Sequence, residues 1–190
     1  MHMLFRATLI FALLAGGTSA LAQDSYDKTI NAFRQAGGTE YFFNNAYGYA
    51  VFPTIGKGGI GIGGAHGGGR VYAGGRHVGD STMTQLTVGF QLGGQAFSQI
   101  IFFQDQRAFQ EFTTGNFEFS AQATAVALTA GVSAEANTGG GMAAGASGGQ
   151  NDATTTHGGF RKGMAIFTIA KGGLMYEAAL GGQKFTYTPL

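Results

Sequence analysis

Half of the positions from Gly56 to Gly79 are glycine, and Ile60, Ile62, Val71 and Tyr72 are set among them rather than serine or proline. That tract limits the fold more than any other part of the chain. A flexible linker would not keep β-branched and aromatic residues. What remains is sheet in which missing side chains permit close backbone approach, bulges and strong curvature. The apolar run before it, Tyr47 to Phe52, ends at Pro53, and a single lysine, Lys57, opens the glycine tract.

The segment from Met1 to Ala22 stands apart from this pattern. Arg6 supplies a short basic region, Ala7 to Ala15 an apolar core, and Ala20-Leu21-Ala22 a small-x-small cleavage site. The apolar core is well short of the ~20 residues of a spanning helix, which favours a signal peptide over an anchor. Its removal leaves Gln23 to Leu190, enough for a single domain. The remaining chain carries ten basic and ten acidic residues. Its zero formal charge argues against nucleic acid, whose binders carry a clustered positive face. The chain has no cysteine, which excludes a disulfide scaffold, a thiolate metal site and a cysteine nucleophile.

Hydrophobic spacing predicts a helix over Asp24 to Ala36, with Asp24 as its cap, Tyr26, Ile30 and Phe33 on one face, and Gly37-Gly38 as its stop. A further helical turn is expected from Thr39 through Asn45. Strand chemistry follows from Tyr47. Leu86, Val88, Phe90 and Leu92 alternate with polar or small residues, which predicts a strand with one apolar face. Ala96 to Phe103 ends in Ile-Ile-Phe-Phe, as expected of a strand buried on both sides. Asp105 then reads as the cap of a helix carrying Ala108, Phe109 and Phe112 and ending at Gly115. Phe117 to Ala127 alternates again, Ala121 to Ala136 is expected as strand, and Gly139 to Thr156 as a flexible loop. Three closing strands are expected at Phe160 to Ala170, Gly173 to Leu180 and Gln183 to Tyr187. The expected fold is mainly β with short helices: an antiparallel curved barrel or sandwich of roughly eight to ten strands with helices packed against it.

Motifs of catalysis and cofactor binding are matched in letters but not in context. Gly59 to Gly64 spells G-x-G-x-x-G, yet a dinucleotide site needs a helix after the glycines, and here more glycine and a strand follow. Gly56-Lys57-Gly58 lacks the serine or threonine of a phosphate loop. Ser147 lies in a nucleophile-elbow pattern with Asp152 and His157 after it, but no apolar strand precedes it. His66, His77 and His157 are not at ligand spacing. The chain is therefore expected to be neither an enzyme nor a holder of metal or cofactor.

Across these segments the chain resembles the SYLF domain family, the lipid-binding domain of eukaryotic endocytic adaptors that also occurs alone in exported bacterial proteins. The likeness runs through Lys28 to Phe33, Asn44 to Pro53, the lysine-x-glycine turn at Lys57-Gly58-Gly59, a glycine-rich hairpin at Gly67 to Ala73, Val88 to Gln95, Ile100 to Phe103, and the closing segment Ala170 to Gly182. The blocks keep family order over nearly the whole mature chain. The resemblance implies a non-catalytic module that binds anionic phospholipids, with actin binding in some members. The helix retained here has only Lys28 and Arg34 as basic residues, so the implication is not extended to actin.

Together these readings predict a phospholipid-binding protein of the bacterial cell envelope, in the periplasm or at the outer membrane of a Gram-negative cell. Candidate headgroup contacts are Lys57, Arg70, Arg76, Arg161, Lys162 and Lys171, each near a glycine turn, with Tyr41, Phe42 and Phe43 as apolar contacts. Each basic residue near an anionic surface contributes on the order of 1 kcal/mol, so several must act together. The alternative expectation is a small outer-membrane β-barrel with a structural or adhesion role.

Overall fold

A computed structural model describes residues 23–89, 95–120, 124–128, 159–171 and 178–190. Within them lie three helices, α1 (residues 23–35), α2 (Glu40–Asn45) and α3 (Gln106–Phe112). The strands are β1 (Gly48–Ala73), β2 (Arg76–Gly89), β3 (Gln95–Phe103), β4 (Phe117–Glu118), β5 (Thr124–Leu128), β6 (Met164–Lys171), β7 (Ala178–Ala179) and β8 (Lys184–Pro189). The spatial order is β4-β8-β2-β1-β3-β6-β5-β7.

The glycine tract shapes this sheet. β1 is one 26-residue strand, and it serves two ladders in succession. Residues from Gly48 to Lys57 pair with β3, and those from Gly61 to Ala73 with β2. Between the two ladders the chain passes through Gly59, at φ 145°, and the strand turns back over itself. A Cβ at Gly69 would collide with the Phe52 ring, and one at Gly67 would lie 2.8 Å from Ile55 Cγ1. The two halves of β1 thus pack face to face, at a spacing only glycine permits opposite those large side chains. Pro53 is accommodated at a register shift between Phe52 and Ile55, where its carbonyl accepts from the Ser98 hydroxyl at 2.7 Å.

The result is a mainly β, curled antiparallel half-barrel with a few short helices, made of two leaves that share β1. It differs from the expected barrel or sandwich of eight to ten strands. Seven strands form the continuous sheet, and β7 adds only a two-residue ladder on β5. The β5–β6 pair is parallel, an exception to the antiparallel rule. The sheet curls because β7 runs into β8 through only Leu180 to Gln183, so strands near opposite edges are tied by one short turn.

The interior between the leaves is filled by Phe52, Ile55, Met83, Phe97, Ile101, Phe103, Phe112, Phe119, Leu180 and Phe185. A second apolar cluster lies on the outer face of the β1–β3–β6 leaf, where Ile100, Phe102, Phe167 and Ile169 are covered by Phe33 and Ile30 of α1 and Phe42 of α2. The Ile-Ile-Phe-Phe run is buried on both faces, as its composition predicts. At about 2 kcal/mol or more per buried phenylalanine, these two clusters are the main source of stability.

Local expectations fare unequally. Gly37 and Gly38, both at φ 73°, end α1. Asp105 caps α3, accepting from the Ala108 N–H at 2.8 Å. Asp24 is not a cap: it lies inside α1, which includes Gln23, and pairs with Lys28 at 2.6 Å. Lys57 is not in a turn, because β1 runs through it, and Gly67 to Ala73 is strand leading to the hairpin at Gly74-Gly75. The expected strand Phe160 to Ala170 is interrupted by a tight turn at Lys162-Gly163. The face expected to be apolar on β2 is reversed at Gln85 and Leu86. Gln85 is buried and donates to the Gly181 carbonyl at 2.9 Å, while Leu86 is 79% exposed. Met83 sets the phase, and the polar residue follows it inward. Phe90, Leu92, Ala121 and the stretches 129–158 and 172–177 fall outside the described residues.

Candidate functional site

Register places the six candidate basic residues at two separate ends of the half-barrel. Lys57 pairs with Gln95 and Lys171 with Ala96, at the end where β1 turns over. Arg161 and Lys162 lie at the opposite end, in the turn ahead of Met164, which pairs with Phe103. Arg76 joins them, since Ala73↔Arg76 closes the β1–β2 hairpin and a Cβ at Gly48, the partner of Phe103, would collide with the Tyr72 carbonyl. From Gln95 to Phe103 the strand advances eight residues, about 26 Å at ~3.3 Å each. That exceeds the ~8–10 Å screening length of physiological salt, so the two groups are not one site.

At the turn-over end the lysines also diverge. Alternation directs Lys57 to the same face as Ile55 and Lys171 to the outer face, where its ammonium donates to the Thr54 hydroxyl at 2.8 Å. Arg70 belongs by position to the hairpin end, but its side chain is engaged. The guanidinium lies 4.3 Å from the Tyr26 ring centroid and donates to Gln23 Oε1, fastening the first turn of α1 to β1. Arg34 does the same within the helical cover, lying 4.1 Å over Phe43. Burial raises the pKa of the Tyr26, Tyr49 and Tyr72 phenols around this fastening, with Arg70 opposing the rise at Tyr26 and Tyr72.

The hairpin end gathers Arg76, Arg161 and Lys162, all exposed. Lys162 is the one non-glycine residue with positive φ, 48°, among the described residues. Arg161 and Met164 exchange both backbone hydrogen bonds, at 2.8 and 2.9 Å, and Gly163 has φ 82°. Two central residues with positive φ define a hairpin turn that favours asparagine and glycine at its first position, so lysine sits there under strain. The turn is pressed against α3: a Cβ at Gly163 would come within 2.7 Å of the Arg107 guanidinium and 2.9 Å of Ala108 Cβ. Arg107 itself pairs with Glu111 at 3.3 Å.

Aromatic side chains border the same end. Tyr41 is 50% exposed, with its ring 6.5 Å from Phe160, beside Arg161. Tyr47 is 43% exposed, its N–H bonded to the Phe103 carbonyl and its ring 5.4 Å from Phe109. Of the three aromatics expected to reach outward, only Tyr41 does so fully. Phe42 is buried against Phe102 and Phe167, and Phe43 packs edge-on against Phe102. The exposure of Tyr47 and the backbone strain at Lys162 were not legible, although Lys162 itself was among the expected basic contacts. A lysine followed by glycine inside a strand-like run was the available signal for the turn.

Among the described residues no group of three or more histidine, aspartate or glutamate side chains converges as a metal site. His66 bonds to Thr84, and His77 to Asp80 at 2.9 Å. Ser147, Asp152 and His157 lie outside the described residues. No helix among those described is long and apolar enough to cross a membrane. The chain matches no family model, and no curated protein matches it.

Proposed function

We propose that this chain is a non-catalytic phospholipid-binding protein of the bacterial cell envelope, a single SYLF-like domain exported by its N-terminal segment Met1 to Ala22, that meets an anionic membrane surface with its hairpin end. The observation that carries this reading is the convergence of Arg76, Arg161 and Lys162 with the half-exposed Tyr41 and Tyr47. Basic residues attract the anionic headgroups, and tyrosine rings suit the boundary between headgroup and acyl chain. Three such charges contribute about 3 kcal/mol, roughly a hundredfold in affinity. Arg70 supports the end by holding α1, while Lys57 and Lys171 stand too far away to share it.

The outer-membrane barrel is less well supported. A spanning barrel presents apolar side chains outward to lipid, whereas the outward Ile100, Phe102 and Phe167 are covered by α1 and α2. Co-sedimentation with anionic vesicles, compared with neutral ones at low salt, tests the reading. The triple variant Arg76→Gln/Arg161→Gln/Lys162→Gln should lose at least tenfold in vesicle affinity, and Lys57→Gln/Lys171→Gln should bind as the native chain does. Equal losses in the two variants would reject the hairpin end as the contact. Native protein that ignores anionic vesicles altogether would reject lipid binding.

A further inference from the structure

The interior of the half-barrel is largely apolar, and besides the buried Ser81 and Gln85 of β2 it holds a row of polar side chains on and beside β3. Gln99 and Gln183, both fully buried, form a reciprocal amide pair: Gln99 Nε2 donates to Gln183 Oε1 at 3.0 Å, and Gln183 Nε2 donates to Gln99 Oε1 at 3.3 Å. Thr168 is the ladder partner of Gln99 on β6 and is fully buried. Strand alternation from Met164 and Ile166 aims its side chain into the same interior. Its Oγ1 is buried with no hydrogen-bond partner among the described residues.

A buried hydroxyl left without a partner forfeits its hydration with nothing in return, and folded proteins rarely retain one. Each amide of the reciprocal pair uses one N–H and its oxygen, so each keeps a second N–H and oxygen lone-pair capacity. Thr168 brings one donor and two acceptor sites to their side. No charged residue is among the buried side chains described, and Phe52, Ile101, Leu180 and Phe185 of the interior cluster are buried almost completely. The fitting ligand is therefore neutral, small, and both donor and acceptor. We infer that a water molecule is a fixed part of this fold, held inside the half-barrel between Thr168 Oγ1 and the Gln99–Gln183 pair.

Its place gives it a role. Gln183 belongs to the turn that joins β7 to β8, and Phe119 N–H donates to its carbonyl at 3.0 Å. Gln99 and Thr168 belong to β3 and β6 of the other leaf. A water there ties the two leaves across the core, in surroundings where each polar contact is strengthened by the low dielectric.

The test joins stability with direct detection. In a high-resolution crystal structure of the native protein, a solvent peak is expected within hydrogen-bond distance of Thr168 Oγ1 and of a side-chain amide of Gln99 or Gln183. Thr168→Val keeps the shape but removes the hydroxyl, and should lower the unfolding midpoint by about 3 °C or more. Thr168→Ser restores the hydroxyl and should recover part of that loss. A dry site overturns the inference whatever the variants do, and so does a valine variant as stable as the native chain, since deleting an orphan hydroxyl relieves its desolvation.

Discussion

Phe52 and Gly69 show, at the scale of single residues, what the glycines are for. The Phe52 ring occupies the space that a side chain at position 69 would take. Gly69→Ala should therefore cost about 1–3 kcal/mol by overpacking. Gly68 is the neighbouring control: it faces outward with nothing within 4 Å of its would-be Cβ. Gly68→Ala should be neutral or stabilising by about 0.5 kcal/mol. Urea titration of both variants separates these outcomes, and equal effects would remove the argument from close approach. Lys162 gives the opposite kind of case, a side chain present where the backbone disfavours one. Lys162→Gly should raise stability by about 1 kcal/mol by relieving positive φ, while weakening anionic-vesicle binding about fivefold by loss of one cation. A variant that binds unchanged would remove Lys162 from the contact, and one that loses stability would remove the strain.

Among the elements, α3 is the best case of a local signal that suffices. Asp105 precedes an apolar spacing of three and four residues, and the carboxylate does accept from the Ala108 N–H. Asp105→Ala should lower unfolding free energy by about 1 kcal/mol, measurable by thermal or denaturant melting; no change would mean that tertiary packing alone holds the helix. The Ile-Ile-Phe-Phe strand and the Gly37-Gly38 stop were legible for the same reason, since their information is contained within a few residues. β1 was not. Whether a glycine run forms two strands and a turn or one strand bent over itself depends on which partners are available: β2 follows at once through the Gly74-Gly75 hairpin, but β3, the partner of the first half of β1, comes only after the whole of β2. The reversed phase at Gln85 and Leu86 has a similar origin, because Gly181, which receives the Gln85 amide, lies 96 residues away. The candidate site divides likewise. Arg76, Arg161 and Lys162 could be named as basic residues beside glycines, but their convergence exists only once β1 has turned back and brought its hairpin beside Gly48.

For the molecule as a whole, the outer apolar cluster makes folding a closed arrangement of helix on sheet, with tyrosines at the seam. Tyr49 and Tyr72 stack with centroids 5.0 Å apart, and Tyr26 lies beneath Arg70. Burial raises the pKa of all three above the ordinary 10.0, despite the cations nearby. The sign of the resulting pH dependence follows from proton counts. Below pH 10 each phenol is protonated in both folded and unfolded chains, so its contribution is fully present. As pH rises past 10 the unfolded chain releases these protons first, binds fewer than the folded chain, and stability falls until the folded phenols ionise as well. Unfolding free energy, measured by denaturant titration at about pH 9 and above, should therefore decline from about pH 10 upward. The comparison that isolates the tyrosines is Tyr49→Phe. That variant lacks one of the raised phenols and should show a shallower decline; a decline as steep as the native chain's would mean that the seam does not couple phenol ionisation to the docking of α1 on the sheet.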